Sequence, residues 1–161
     1  MPTNISINPA PDIPATADCE AILRSLPKWF GVEAALLEYA SDTASMPTLL
    51  CRVGEDIVGF VTLRQHFEHA FEIHCIAVHA QHRAQGHGAA LMQAAEQWAA
   101  ERGGRLMQVK TIADSHPSLE YVQTRAFYKR IGYWPLEVFP TLWSDRHPCL
   151  VLVKPLTPCL P

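Results

Sequence analysis

The sequence predicts an α/β protein on a mixed sheet, and three observations lead there. Apolar residues recur at helical spacing in the first part of the chain and alternate from Thr48 onward. The β-rich run Phe71 to Val78 delivers a glycine-containing loop to an amphipathic segment, and a further β-rich run, Leu106 to Lys110, follows. A strand, helix and strand of this length form a right-handed crossover between parallel strands, whereas the strands before it are most simply antiparallel. With 161 residues, 48% of them apolar, the chain suits one domain spanning residues 1–161.

Each element has its own signal. Ile5 and Ile7 alternate with polar residues, giving a short strand before a Pro9 to Pro14 loop. Thr16 to Asp18 offers a helix start, and Ala21, Ile22, Leu23 and Leu26 repeat until Pro27. A second helix places Val32, Ala35, Leu36 and Tyr39 on one side. Thr48 to Val53 and Ile57 to Leu63 flank the turn residues Gly54 to Asp56 as a hairpin. Arg64 to Ala70 is polar and reads as a connection into the next strand. There Phe71, Ile73, Cys75 and Ala77 share one face, and Glu72, His74, Ile76 and Val78 share the other. The next helix, closed by Gly103 and Gly104, turns Leu91, Ala94, Ala95 and Trp98 to one side. Beyond Leu106 to Lys110, the loop Thr111 to Pro117 leads to a helix over Tyr121 to Ile131, ended by Gly132. Leu136 to Phe139 and Pro148 to Lys154 read as closing strands around a loop from Pro140 to His147.

Composition narrows the function. A formal charge of −3 provides no basic footprint for nucleic acid. No apolar run reaches the roughly 20 residues of a membrane span, and the N-terminus lacks signal-peptide character, so a soluble cytoplasmic protein is expected. Five irregularly spaced cysteines without a CxxC pair speak for reduced thiols rather than a disulfide framework or structural zinc. The eight histidines, with few carboxylates at ligand spacing, read as solvated surface, and no metal is expected.

The loop Arg83-Ala84-Gln85-Gly86-His87-Gly88 carries the chemistry. A strand feeding a glycine loop into a helix N-terminus gathers unpaired backbone N–H groups at the positive end of the helix dipole, which suits phosphate. Nucleotide motifs fit poorly: no Lys-Ser/Thr follows the glycines, and Leu91 stands where a third dinucleotide-loop glycine would be. Glu72, in an apolar strand, is costly unless paired, hydrated or used. Trp29 and Phe30, between two helices, either line a substrate pocket or plug the core.

On these residues the chain resembles the GCN5-related N-acetyltransferase (GNAT) superfamily. The Arg/Gln-x-x-Gly-x-Gly/Ala signature is met by Arg83 to Gly88, and a Phe-Tyr-x-x-x-Gly-Tyr run, Phe127 to Tyr133, follows about 40 residues on. The resemblance implies a single GNAT-like domain with a mixed, mainly antiparallel sheet and helices on both faces. It also implies acetyl-coenzyme A as cofactor and a small-molecule or peptide amine as acceptor. Backbone N–H groups of Arg83, Ala84, Gln85, Gly86, His87 and Gly88 would cradle the pyrophosphate. Ile76, Ala77 and Val78 would pair with the pantetheine arm, with the Ile76 N–H donating to the thioester oxygen. Tyr128 aligns with the tyrosine that protonates the leaving sulfur. Glu72, fourteen residues before Gly86, has the offset of the base glutamate in histone-acetylating members. Its alternative is a structural carboxylate bonded to backbone or to a neighbour such as His74, itself the second base candidate. Tyr121 replaces the family's pantetheine-binding Asn. Attack is expected to be direct, without an acyl-enzyme. A non-catalytic acyl-coenzyme A binding module is the rival reading. Edge strands of such a sheet often pair between subunits, which leaves a homodimer open.

Overall fold

The computed structural model describes residues 5–7 and 15–158. In chain order these form β1 (Ile5–Ile7), α1 (Thr16–Arg24), α2 (Glu33–Asp42), β2 (Thr48–Val53), β3 (Asp56–Phe67) and β4 (Ala70–Val78). A short 3-10 turn (Ala80–His82) leads to α3 (His87–Ala100), then β5 (Leu106–Ile112), α4 (Leu119–Arg130), β6 (Trp134–Ser144) and β7 (His147–Pro155). The strands make one seven-stranded sheet in the order β1-β2-β3-β4-β5-β7-β6. The β1/β2, β2/β3, β5/β7 and β6/β7 pairs are antiparallel. The expected α/β class and mainly antiparallel sheet are thus observed. The Pro9 to Pro14 loop lies outside the described residues.

The chain divides into two compact units, Met1–Arg64 with Ile73–Ala99, and Gln65–Glu72 with Ala100–Pro161. In the first, the apolar side of α1 (Cys19, Ile22, Leu23) and Leu36 and Ala40 of α2 bury against Leu50, Phe60, Cys75 and Ala77 of the strands. Ile22, Leu23, Leu26 and Leu36, read at helical spacing in the sequence, are part of this core, whereas Ala21 is exposed and Ala35 and Tyr39 are half-buried. Arg24, paired with Glu20 within α1 (2.8 Å), ties the two helices on the outside through Glu33 of α2 (2.7 Å). Val32, expected on the inner face, instead precedes α2 and is 61% exposed.

Gly59 of β3 decides how closely the elements around the candidate site approach. A Cβ there would lie 3.1 Å from the Ala77 carbonyl oxygen, 3.1 Å from Leu91 Cδ1 and 3.3 Å from Val78 Cγ2. Gly59→Ala is therefore expected to destabilise the fold by about 1–3 kcal/mol, the usual range for overpacking. Urea unfolding checks it, and a midpoint equal to wild type would show that the neighbours yield freely.

Two expected loops are strands instead. β3 continues to Phe67 and β4 starts at Ala70, so the Arg64 to Ala70 connection shrinks to a turn at Glu68 and His69. β6 likewise runs through Ser144 and absorbs most of the Pro140 to His147 loop. Residues Arg64 to Phe67 and all of β6 are exposed. A solvated strand end keeps its ladder without the apolar alternation that marks strands in a sequence.

Candidate active site

In the first unit, β4 ends at Val78 and the chain turns under local restraints. The His79 N–H donates to the Val58 carbonyl (2.8 Å), its Nδ1 accepts from the Gln81 N–H (3.2 Å), and the Ala80 N–H donates to Ser25 Oγ (3.1 Å). Arg83 is extended, Ala84 takes φ +58° and Gly86 φ +87°. A non-glycine residue in the left-handed region is uncommon, and alternating conformations of this kind turn successive N–H groups toward one concave side. A Cβ on Gly86 would meet no atom within 4 Å. The loop is exposed from Arg83 to Gly86, and the first turn of α3 carries no acidic residue. These features fit a phosphate group at the helix N-terminus.

Gly86 already accepts the first helical bond, from the Ala90 N–H (3.1 Å), so His87 and Gly88 belong to α3 rather than to the loop before it. The His87 side chain turns inward, 2% exposed, with Nδ1 3.8 Å from Cys51 Sγ. Burial, then the nearby His82, lowers its pKa from the ordinary 6.5, which keeps the imidazole neutral.

Trp29 and Phe30 stand in the connection between α1 and α2. Both are half-buried against the core, yet Trp29 also lies under Arg83, whose guanidinium carbon is 4.1 Å from the ring centroid. Phe30 meets Tyr39 edge-on at 5.9 Å, and Tyr39 packs at 5.4 Å on His74. His74 Nε2 lies 2.7 Å from Asp42 Oδ2 at the end of α2. With its side chain 14% exposed, His74 is a partly sheltered imidazole oriented by a carboxylate. Ile76 is half-buried two residues on, at a position of the same face. Cys75 points into the core, and burial pushes its thiol far above the ordinary range, so it is no nucleophile.

In the second unit, Glu72 is 3% exposed and its Oε1 accepts from Gln108 Nε2 at 2.6 Å and pairs with Lys110 Nζ at 2.9 Å, with His66 Nε2 3.6 Å away. His74, expected as the neighbouring base, is taken by Asp42 instead. Burial alone would raise the Glu72 carboxyl. The Lys110 bond and charge, the Gln108 bond and the His66 charge together bring it below the ordinary 4.5.

Tyr128 of α4 is 5% exposed, with its ring 5.4 Å from Phe127 and 6.0 Å from Tyr133. Arg125, buried, donates to the Ile112 carbonyl (2.7 Å) and fastens α4 to β5. Gly132 turns the chain at φ +100°, and the Tyr133 N–H reaches back to the Tyr128 carbonyl (3.0 Å). The Phe-Tyr-x-x-x-Gly-Tyr run is thus a helix end that locks both tyrosines. Tyr121 is half-buried on the same helix, and burial raises its phenol.

Sequence reasoning missed Asp42, Lys110 and Gln108. Gln108 and Lys110 alternate with apolar residues on β5, as Glu72 and His74 do on β4. That pattern is a readable sign that polar groups on neighbouring strands need partners. Asp42, at a helix end, carries no such signal. Among the described residues no group of three or more His, Cys, Asp or Glu is arranged to hold a metal, and no helix is long and apolar enough to cross a membrane.

The family model "Acetyltransferase (GNAT) family" matches residues 18–133. No curated protein matches the chain in sequence. Among solved structures, a GNAT-family protein from Desulfovibrio desulfuricans superposes with a TM-score of 0.80 at 16% identity, covering 96% of this chain and 100% of that one. An aminoglycoside 6'-N-acetyltransferase complexed with coenzyme A gives 0.73 at 18% identity (98% and 99% covered). A GNAT family acetyltransferase from Elizabethkingia anophelis with acetyl-CoA bound gives 0.70 at 18% (95% and 99%). At these identities the superpositions speak for the fold.

Proposed function

Because the chain belongs to the GNAT family of acetyltransferases, we propose that it transfers the acetyl group of acetyl-coenzyme A to a primary amine of a small molecule or peptide by direct attack. The observation that carries this reading is the loop from Arg83 to Gly88, with Ala84 and Gly86 in left-handed conformation ahead of an acid-free helix start. Bound acetyl-coenzyme A supplies the thioester carbonyl as electrophile. Backbone N–H groups from Arg83 to Gly88 hold its pyrophosphate, and Arg83, steadied on Trp29, adds fixed charge. The edge of β4 from Ile76 through Ala77 to Val78 pairs with the pantetheine arm, and the Ile76 N–H steadies the carbonyl oxygen. Tyr128 donates to the departing sulfur. The described cysteines Cys19, Cys51, Cys75 and Cys149 are all unpaired and buried, in keeping with work in the reducing cytoplasm.

Of the two base candidates, His74 is favoured over Glu72. The Lys110 ion pair stabilises the Glu72 carboxylate and weakens it as a base. Glu72 also stands four positions before Ile76, roughly 13 Å of extended chain, against roughly 7 Å for His74. With the His74 Nε2–H given to Asp42, the Nδ1 lone pair is left to take the amine's proton, and the Asp42 bond holds the ring in that tautomer and orientation. Asp42 is thus a positioning residue, and Phe30 and Tyr39 supply apolar surface for the acceptor beside it.

The test is thiol release from acetyl-coenzyme A across a panel of small amines, amino acids and peptides. Turnover that falls in His74→Ala and partly returns with added imidazole is expected. Calorimetric coenzyme A binding with no turnover on any amine would instead establish the non-catalytic binding module.

A further inference from the structure

Three imidazoles stand in a row at the start of the phosphate-suited loop. The His79 and His82 rings lie 6.1 Å apart, and the His82 and His87 rings are again 6.1 Å apart. His79 precedes the 3-10 turn, His82 ends it directly before Arg83, and His87 opens α3. The His82 N–H donates to the His79 carbonyl (2.8 Å), which fixes the backbone from which its ring projects. The three differ in what a second ring proton would cost. His79 Nδ1 already accepts from the Gln81 N–H (3.2 Å), so protonation there would break that bond. His87 is 2% exposed, and its Nε2 has no hydrogen-bond partner among the described residues, so an imidazolium would bury an uncompensated charge. His82 is only half-buried, and neither of its ring nitrogens is hydrogen-bonded among the described residues. Of the three, it alone can gain a proton without breaking a bond or enclosing a charge.

We propose that His82 is a further cofactor-binding residue, whose imidazole takes up one proton from solvent as the pyrophosphate settles on the loop and faces it as an imidazolium. The inference rests on the reading of Arg83 to Gly88 as the pyrophosphate site. Charge sets its direction. Facing His82 are the rings of His79 and His87, behind His87 stands Cys51 of β2, and Arg83 follows in the chain. None of these is an anion: burial raises the Cys51 thiol and keeps His87 neutral. The Arg83 charge and the positive end of the α3 dipole oppose an imidazolium in the free chain. A bound pyrophosphate reverses the sign, because an opposite charge nearby favours the charged form. Imidazole changes charge near neutral pH, so cofactor binding and protonation are linked there. The bound form holds more protons than the free form, so affinity rises as pH falls. Arg83, held on Trp29, supplies its charge at every pH, and His82 adds one that depends on pH.

Calorimetric titration of the full chain with 3'-dephospho-coenzyme A tests this independently of any acetyl transfer. That probe keeps the pyrophosphate diester and lacks the phosphate monoester, so a proton exchanged near neutral pH belongs to the protein. Comparing buffers of different ionisation heat at pH 7 gives the number of protons taken up. Wild type is expected to take up roughly half a proton per chain and to bind about three- to tenfold more tightly at pH 6 than at pH 8. In His82→Gln the uptake should vanish and the affinity should be flat over that range, whereas His79→Gln should keep the uptake. Circular dichroism checks that the variants are folded, and the wild-type result stands independently of them. Wild-type binding without proton uptake, or undiminished uptake in folded His82→Gln, would overturn the proposal. No binding of the probe at any pH would overturn the pyrophosphate reading of the loop, and this inference with it.

Discussion

Lys110→Met is expected to lower the unfolding free energy by about 3 kcal/mol. Removing one partner of a buried ion pair costs about 3–5 kcal/mol, because the other charge stays buried without compensation. The low end applies here: Lys110 is itself 29% exposed, and Gln108 still donates to Glu72 Oε1 at 2.6 Å. Glu72→Gln/Lys110→Met, which removes both charges, should regain most of the loss. Urea unfolding of the three proteins measures the difference, and a single variant within experimental error of wild type would show that the pair contributes nothing. The pH dependence has a defined sign. The folded-state pKa of Glu72 is lowered, so its contribution is complete above the ordinary value of 4.5 and is lost as pH falls through the folded value. In the double variant this part of the acid sensitivity should disappear.

Tyr128→Phe is expected to lower kcat on the order of 100-fold while leaving coenzyme A affinity unchanged. General acid catalysis typically contributes about 10²- to 10⁴-fold. The low end is appropriate because a phenol of pKa about 10 is a weak donor toward a thiolate whose acid has pKa about 8.5. The ring itself is packed between Phe127 and Tyr133, so phenylalanine preserves the contacts and isolates the hydroxyl. An acyl donor with a more acidic thiol needs less help in leaving, so it should narrow the gap between wild type and variant. Equal turnover with acetyl-coenzyme A would remove Tyr128 from the chemistry.

Much of this was legible in the sequence because it is local. Gly86 marks a left-handed turn, Gly132 a helix end, and the alternation from Phe71 to Val78 correctly separated the buried Phe71, Ile73, Cys75 and Ala77 from the other face. The amphipathic stripes of α1 and α3 followed from spacing in part: Ile22 and Leu23, and Leu91 and Ala95, are buried as expected, whereas Ala21 is exposed, Ala94 and Trp98 are half-buried, and Cys19, Met92 and Ala99 are buried in addition. What failed was the polar end of β3 and the length of β6. Both are strands through their ladders, while their side chains face water and lose the periodicity that sequence reasoning relies on.

The candidate site divides in the same way. Residue types and spacing alone determined the phosphate-suited loop from Arg83 to Gly88 and the placing of Glu72 and His74 on one strand face. Tertiary structure decided what each carboxylate and imidazole is bonded to. Asp42 is 32 residues from His74 in sequence and 2.7 Å away in space, and Lys110 reaches Glu72 from another strand at 2.9 Å. A side chain's basicity depends on the charges and solvent around it, and those are set by long-range neighbours. Local sequence therefore showed where the ionisable groups stand, and the fold alone distinguished the ion-paired Glu72 from the carboxylate-oriented His74.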